Sequence, residues 1–481
     1  MNHHTLRYGV AAFSAAVLAV PLATAFSAPV QAAVFPPAGV ALTQVSSDPY
    51  SDAQAQHATE VEPDIFSSGN TVVSTFQVGR VSGGGASNIG WSTSTDGGAT
   101  WTHGYLPDTT ANTGGPYTAA SDATVAYDAD HGEWIISYLG LLANGNVDVA
   151  SSRSTNATTW GNPVIVATGT FYDKNWTVCD NHAASPFYGH CYTEFDTAAS
   201  SDREDMSTST NGGASWGALQ HPADNPSGIG GQPLVQPSGT VIVPFSSASS
   251  NQIRAFTSTN GGTSWTASVL VARTSHHTVS GLESDSAITN VSGTAAPLAL
   301  RESVLPSAEI DASGKVYVSW ADCRFRSGCP SNDIILSTST NGTTWTTPTR
   351  VPIDAVTSTA DHFTPGLGVD ASTSGGTTRI GLTYYYYPVA NCTSATCQLD
   401  AGYISSTNGG ATWSAPTQLA GPMLTTWLPN TTQGRMFGDY IATTVLAGGN
   451  AITVIPVAAA PSGSTFNMAM FTPTGGLAIV G

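Results

Sequence analysis

Alternation of apolar and polar residues runs through most of the chain. Short stretches in which every second residue is apolar recur from Val40 to Phe471, each bounded by Gly, Asn, Asp or Ser. Period two between turn residues predicts half-buried β-strands. The strands follow a fixed order. A first strand recurs as Pro63–Phe66, Ala123–Tyr127, Asn175–Cys179, Gln232–Val235, Ser307–Ile310, Thr364–Val369 and Tyr440–Val445. A second follows each, from Thr71–Phe76 to Ala451–Val457, then a third, from Asn88–Trp91 to Phe466–Phe471. A fourth, such as Thr346–Val351, completes every unit but the last. Val40–Val45 is left over at the other end, and a terminal strand completing the last unit would close a ring and remove two open sheet edges. The expectation is an all-β fold: a single β-propeller of seven four-stranded blades over residues 33–481, closed by the N-terminal strand. Residues 273–304 are expected as an insertion between blades four and five. Six blades with an appended set of strands is the alternative.

The third strand of each complete unit runs into a short motif. It reads Ser94-Thr-Asp-Gly-Gly-Ala-Thr-Trp101, Ser209-Thr-Asn-Gly-Gly-Ala-Ser-Trp216, Ser258-Thr-Asn-Gly-Gly-Thr-Ser-Trp265 and Ser406-Thr-Asn-Gly-Gly-Ala-Thr-Trp413. Two copies are one residue shorter, Ser154-Thr-Asn-Ala-Thr-Thr-Trp160 and Ser339-Thr-Asn-Gly-Thr-Thr-Trp345. The pattern describes a hairpin turn: Asp or Asn bonds its own backbone, Gly takes positive φ, and Trp packs back on the sheet. These copies resemble the Asp-box, or BNR repeat, of the sialidase superfamily and related β-propellers, with Asn in place of Asp in five of six.

Composition narrows the class. Charged residues are only 10% of the 481, Gly contributes 50, and 32 acids against 14 bases give a net charge of −18. This is too apolar for an acidic disordered chain. A nucleic-acid binder resting on net basic charge is excluded. At the start, Arg7 precedes an apolar run from Gly9 to about Phe26 and small-residue cleavage sites at Ala25 and Ala32, the pattern of a secretory signal peptide over 1–32. No later run is long enough to span a membrane, so the protein is expected outside the cell. Export permits disulfides, and the six cysteines form three local pairs: Cys179 with Cys191, Cys323 with Cys329, and Cys392 with Cys397. A closed ring needs no partner for its edges, so a monomer is expected.

In a four-stranded blade the Asp-box turns share one face. The connections between strands two and three, and from one blade to the next, share the other, where function is expected. Seven basic residues fall in or beside those connections: Arg80, Lys174, Arg203, Arg301, Arg324, Arg326 and Arg435. Clustered cations on one face of an acidic protein suggest an anion site, and the guanidinium fork pairs with a carboxylate. Arg324 and Arg326 stand out because Cys323 and Cys329 would staple their loop. Pairing with local acids such as Asp202, Glu204, Asp322 and Glu302 is the competing reading. The starts of first strands, which ring the channel, add Glu62, Asp64, Asp122 and Asp439, next to Tyr440. Clustered carboxylates raise one another's pKa, can act as acid and base, and are hard-oxygen ligands for a structural Ca²⁺. No cofactor is required. His57, Tyr172, Asp361 and His362 project from the same connections.

Sialidase resemblance implies a six-bladed ring, three arginines on the sialic carboxylate, a Tyr nucleophile with a Glu partner, and an Asp acid/base. The family's Phe/Tyr-Arg-Ile-Pro motif is absent; Glu60-Val-Glu-Pro-Asp-Ile65 stands in its place, so no catalytic residue is carried over by motif. The leading expectation is an exo-acting glycoside hydrolase for an anionic, carboxylate-bearing sugar. A uronate-directed polysaccharide lyase, with His57, His362 or Tyr172 as base, and a non-catalytic glycan- or surface-binding propeller are the alternatives.

Overall fold

The computed structural model describes residues 39–279, 300–393 and 395–481. The signal peptide expected at 1–32 and the centre of the insertion expected at 273–304 lie outside them. The protein is an all-β propeller in which helix is confined, among the described residues, to four 3-10 turns of three residues each. Antiparallel meanders follow one another along the chain, for example Glu60–Ser68, Thr71–Arg80, Ala86–Ser94 and Thr102–Tyr105. The strand Leu42–Gln44 pairs with Met468–Pro473, so both ends of the described chain share one sheet.

Hydrogen bonding gathers the strands into five sheets of four or more, one of three and one two-stranded ribbon. Five such sheets stand where seven, or six, are expected, for two reasons. The meanders expected as the first two blades are fused by a single pair, Ala86 with Ala120, into one eight-stranded sheet. The next meander (Tyr172–Cys179, Cys191–Thr197, Arg203–Ser209) stops at three strands, because the chain after Trp216 returns to it at isolated bridges, Met206 with Gln220 and Arg203 with Ser227.

Side-chain hydrogen bonds stitch the innermost strands to one another around the axis. Asp64 Oδ2 accepts from Val125 N–H at 2.8 Å, Thr124 Oγ1 from Thr177 N–H at 3.3 Å, and Gln232 Oε1 from Ala308 N–H at 2.7 Å. Ser307 Oγ accepts from Leu367 N–H at 2.9 Å, and Thr443 Oγ1 donates to Gly366 O at 2.9 Å. These bonds satisfy polar groups that packed sheets would otherwise bury unpaired. The run Tyr384–Tyr387 is core: Tyr384, Tyr385 and Tyr387 are buried, and the Tyr385 hydroxyl donates to Pro456 O at 2.6 Å.

The repeated turns share one geometry. In the first, Ser94 Oγ accepts from Gly98 N–H at 2.8 Å, Asp96 Oδ1 from Thr100 N–H at 2.8 Å, and Trp101 Nε1 donates to Gly98 O at 3.1 Å. Where Asn replaces Asp the backbone bond persists, as Thr412 N–H to Asn408 Oδ1 at 2.9 Å, and in this copy Trp413 Nε1 again donates to Gly410 O at 3.0 Å. The second Asp oxygen accepts from the Thr100 hydroxyl at 2.6 Å, whereas Asn408 Nδ2 donates to the Thr412 hydroxyl at 2.7 Å. All three cysteine pairs are disulfides: Cys179–Cys191, Cys323–Cys329 and Cys392–Cys397.

Candidate functional site

Four inner strands begin with a slip in register, between Val61 and Asp64, Ser121 and Thr124, Asp173 and Trp176, and Phe363 and Gly366. In each slip one non-glycine residue has left-handed backbone: Glu62 (φ 56°), Asp122 (φ 48°), Lys174 (φ 47°) and Thr364 (φ 46°). A bulge adds one residue to the strand and re-aims its side chain. Positive φ at a residue with a Cβ persists only where its surroundings hold it. Three of the four carry charge, and these three meet.

Lys174 Nζ lies 2.8 Å from Asp122 Oδ1, 2.6 Å from Asp439 Oδ2 and 3.4 Å from Glu62 Oε1, with all four side chains buried. Gly438, before Asp439, also has positive φ and abuts the Glu62 backbone, and Asp439 N–H donates to Glu62 Oε1 at 3.0 Å. Burial alone would depress the lysine; the charges of Asp122, Asp439 and Glu62 outweigh it and raise its pKa. Burial pushes Glu62 up to about 7 against the pull of Lys174. Asp439 is buried too, but Arg301, which also pairs with it, and Lys174 hold it below the usual carboxylate range. The ammonium sits where a Ca²⁺ would have to sit, so the channel carboxylates do not form a metal site.

Above this network a cavity of about 140 Å³ opens toward the functional face. Arg80, Arg301, Asp122, Asp173, Tyr172 and Phe171 are among its lining residues. Arg301 is set by the bridge from Leu300 to Arg435 and by its own N–H, which donates to Arg435 O at 2.7 Å. Arg80 is 3% exposed and donates to Val81 O at 2.7 Å, to Gly85 O, and to Met436 Sδ at 3.2 Å. It has no carboxylate within ion-pair distance among the described residues. Burial, and then the like charge of Arg301, lower its pKa to about 10. A buried guanidinium bonded only to neutral groups beside a second cation is costly without an anion. Asp173, in the same wall, is pushed up to about 6 by burial and then by Asp122.

No family model matches the chain, and no curated protein matches it. Similarity to solved structures is low in sequence. An ulvan lyase, from a polysaccharide lyase family, is 10% identical over 87% of this chain and 94% of its own, with a TM-score of 0.49. A sialidase from Streptococcus pneumoniae is 13% identical over 89% and 70%, at 0.43. An α-L-arabinofuranosidase from Fusarium graminearum is 12% identical over 75% and 96%, at 0.44. At such identities the chemistry rests on the residues themselves.

The channel also holds, at its opposite end, a cavity of about 180 Å³ walled mainly by apolar groups such as Ile65, Val125, Leu234 and Leu367. Of its three carboxyls, Asp64, Glu309 and Asp311, the first two have no basic partner among the described residues, and burial pushes them to about 7 and about 8. Lacking a cation to grip an anion, this end is the weaker candidate. Asp64 belongs to the stitching described above and stands apart from the charged cluster.

Several residues singled out from sequence are occupied elsewhere. Arg203 forks onto Asp205 at 3.0 and 2.9 Å, and Arg324 onto Asp322 at 2.9 and 2.6 Å. Arg326 is buried against Asp333 at 2.7 Å and Asp354 at 2.9 Å, and Arg350 binds the same two acids. His362 sits at the edge of that cluster, 3.9 Å from Asp354, with its pKa lowered by burial. Asp333, Asp354 and His362 are close enough to hold a metal, but two guanidiniums already neutralise the acids. His57 bonds Tyr50 O at 3.0 Å, away from the cavity. Arg435 places Arg301 through its backbone, while its guanidinium donates to Leu428 O at 2.8 Å. Tyr440 lines the channel with its hydroxyl donating to Ala123 O at 3.4 Å; burial, and then Glu62, raise its pKa, the reverse of an activated nucleophile. Asp173, Met436 and Phe171 were not anticipated. Asp173 neighbours Lys174 at a first-strand start, the same signal that singled out Asp122.

Proposed function

We propose that the protein is a secreted carbohydrate-active enzyme, an exo-acting glycoside hydrolase for a sugar bearing a carboxylate. One observation carries this reading: Arg80, without an acidic partner among the described residues, and Arg301 line the same cavity as two carboxyl groups, Asp122 and Asp173. The guanidiniums take the substrate carboxylate. Asp173, protonated up to about pH 6, donates to the departing glycosidic oxygen. Asp122, 2.8 Å from Lys174, is the second carboxyl that hydrolysis across a glycosidic bond requires. This departs from the tyrosine nucleophile that the sialidase resemblance implies, because burial raises the pKa of both Tyr172 and Tyr440. Elimination is less well served, since neither His57 nor His362 reaches the cavity and burial raises the pKa of Tyr172, which does.

Three disulfides support an oxidising compartment, and we read residues 1–32 as a secretory leader. We read the repeated turns as Asp-boxes and the ring as seven-bladed, counting the eight-stranded sheet as two blades and the three-stranded sheet as one. We also read it as a monomer.

The test is a release assay with purified residues 33–481 on sialosides and uronate-containing oligosaccharides, following reducing sugar and unsaturated-uronate absorbance. Reducing sugar without the absorbance, abolished in Asp173→Asn, supports the reading. Growth of the absorbance replaces it with a lyase, and inactivity with tight binding replaces it with a lectin.

A further inference from the structure

Seven large apolar side chains are exposed among the described residues, and of these only Phe171 lines the cavity that holds Arg80, Arg301, Asp122 and Asp173. Its ring is 40% exposed. Its main chain, by contrast, is fixed: Phe171 O accepts from Ala198 N–H at 3.1 Å, and the residue forms a parallel bridge with Val147, whose N–H donates to Thr170 O at 3.0 Å. The next residue, Tyr172, is buried and packs edge-on against Phe195 with ring centroids 5.2 Å apart. An aromatic ring held out toward solvent by an ordered backbone pays no ordering cost when something apolar covers it. Sugars offer such a surface, since one face of a pyranose presents C–H groups, and aromatic rings with rigid supports are the usual partners of amphipathic ligands.

We propose that Phe171 is a positioning residue, the platform on which the sugar next to the anionic one stacks. The substrate class is then an oligosaccharide or polysaccharide whose terminal sugar carries the carboxylate and whose next sugar is gripped by its apolar face. This rests on the reading of the cavity as a glycoside hydrolase site. The carboxylate anchors at Arg80 and Arg301, the bond to be cleaved lies beside Asp173, and the leaving sugar covers Phe171. Glycosyl fluorides lack that leaving sugar and make no use of the platform.

The experiment compares wild type, Phe171→Ala and Phe171→Trp on 3′-sialyllactose and tetragalacturonate, with glycosyl fluorides of the same terminal sugars alongside. In Phe171→Ala we expect KM for the oligosaccharide to rise about tenfold with kcat unchanged, the KM for the glycosyl fluoride not to move, and Phe171→Trp to restore the oligosaccharide KM. Equal losses on both substrate types, or no change on either, overturn the platform. Binding of the same oligosaccharides to Asp173→Asn, by calorimetry, separates the two ideas. Phe171-dependent binding without any turnover by wild type keeps the platform and sinks the hydrolase. Turnover that is indifferent to Phe171 keeps the hydrolase and sinks the platform, and binding to none of these probes sinks the platform as well.

Discussion

Two charged clusters in this molecule use the same ingredients to different ends. Around Arg326 and Arg350, two guanidiniums meet Asp333 and Asp354 so that each cation has its acids. Around Lys174, three acids surround one ammonium, Arg301 leans on one of them, and Arg80 is left with backbone carbonyls and a sulfur. The first cluster is electrically closed. The second keeps a cation in reserve beside a cavity, and a ligand can complete it. Proximity of arginines to acids therefore does not separate a brace from a site; what separates them is whether the pairing is exhausted.

Perturbing each cluster sharpens that contrast. The largest effect is expected from Asp173→Asn, which should lower kcat by about 10²–10⁴-fold with an unchanged melting temperature; a variant that retains full turnover removes Asp173 from the chemistry. Next, Lys174→Met leaves Asp122 and Glu62 buried without their cation, while Asp439 keeps Arg301. Urea unfolding should show a loss of about 3–5 kcal/mol, and a neutral result would mean the carboxylates protonate freely. Arg326→Met should cost less, because Arg350 still pairs with Asp333 and Asp354, and should leave turnover by the folded fraction intact. A fall in kcat/KM at full folding would move the closed cluster into the site.

Acidity supplies a fourth handle. Burial holds Glu60 and Glu309 near about 8, and Glu62, Asp64, Glu204 and Asp400 near about 7, whereas unfolded carboxyls titrate near ~4. Between those values the folded chain binds more protons than the unfolded one. Their contribution is thus fully present below about pH 4 and is lost as pH rises through 7 to 8. Asp439, depressed by its cations, acts in the opposite sense and weakens the fold only below the ordinary carboxylate range. The melting temperature should be at least about 5 °C higher near pH 5 than near pH 8; the reverse slope would mean these groups are solvated. The smallest effect is expected from Arg254→Ala, whose pair with Asp224 is partly exposed on both sides: a change within about 1 kcal/mol and no change in turnover.

Strand order and turn chemistry were legible in the sequence because they are written in local patterns: period two, Asx-Gly, and a returning Trp. The inner strands ran longer than the pattern implied. Glu60–Ser68 and Ala119–Asp128 begin several residues before the alternating stretches at Pro63 and Ala123, because each bulge breaks the period and hides the residues ahead of it. Strand starts pointed to Glu62, Asp64, Asp122 and Asp439; bulges set Glu62 and Asp122 against Lys174, which also meets Asp439, while Asp64 stands apart. The arginines were harder to sort. Arg203 and Arg324 each have an aspartate two positions away, Asp205 and Asp322, and that spacing is itself a sign of self-pairing. What no local pattern carries is which connection leans over the channel. Arg301 and Arg80 come from stretches far apart in the chain, and only the closed ring sets them side by side.

That closure has a consequence for how the protein is made. Thr43 bonds Thr474 across 431 positions of chain. Linking such distant ends adds little entropy beyond that of a loop half the length, but it cannot begin early. Every earlier meander can form from neighbours already in hand, whereas the sheet that joins Leu42–Gln44 to Met468–Pro473 has to wait for the far end of the message. Until a ribosome has passed residue 473, the first strand of the domain travels without its mate.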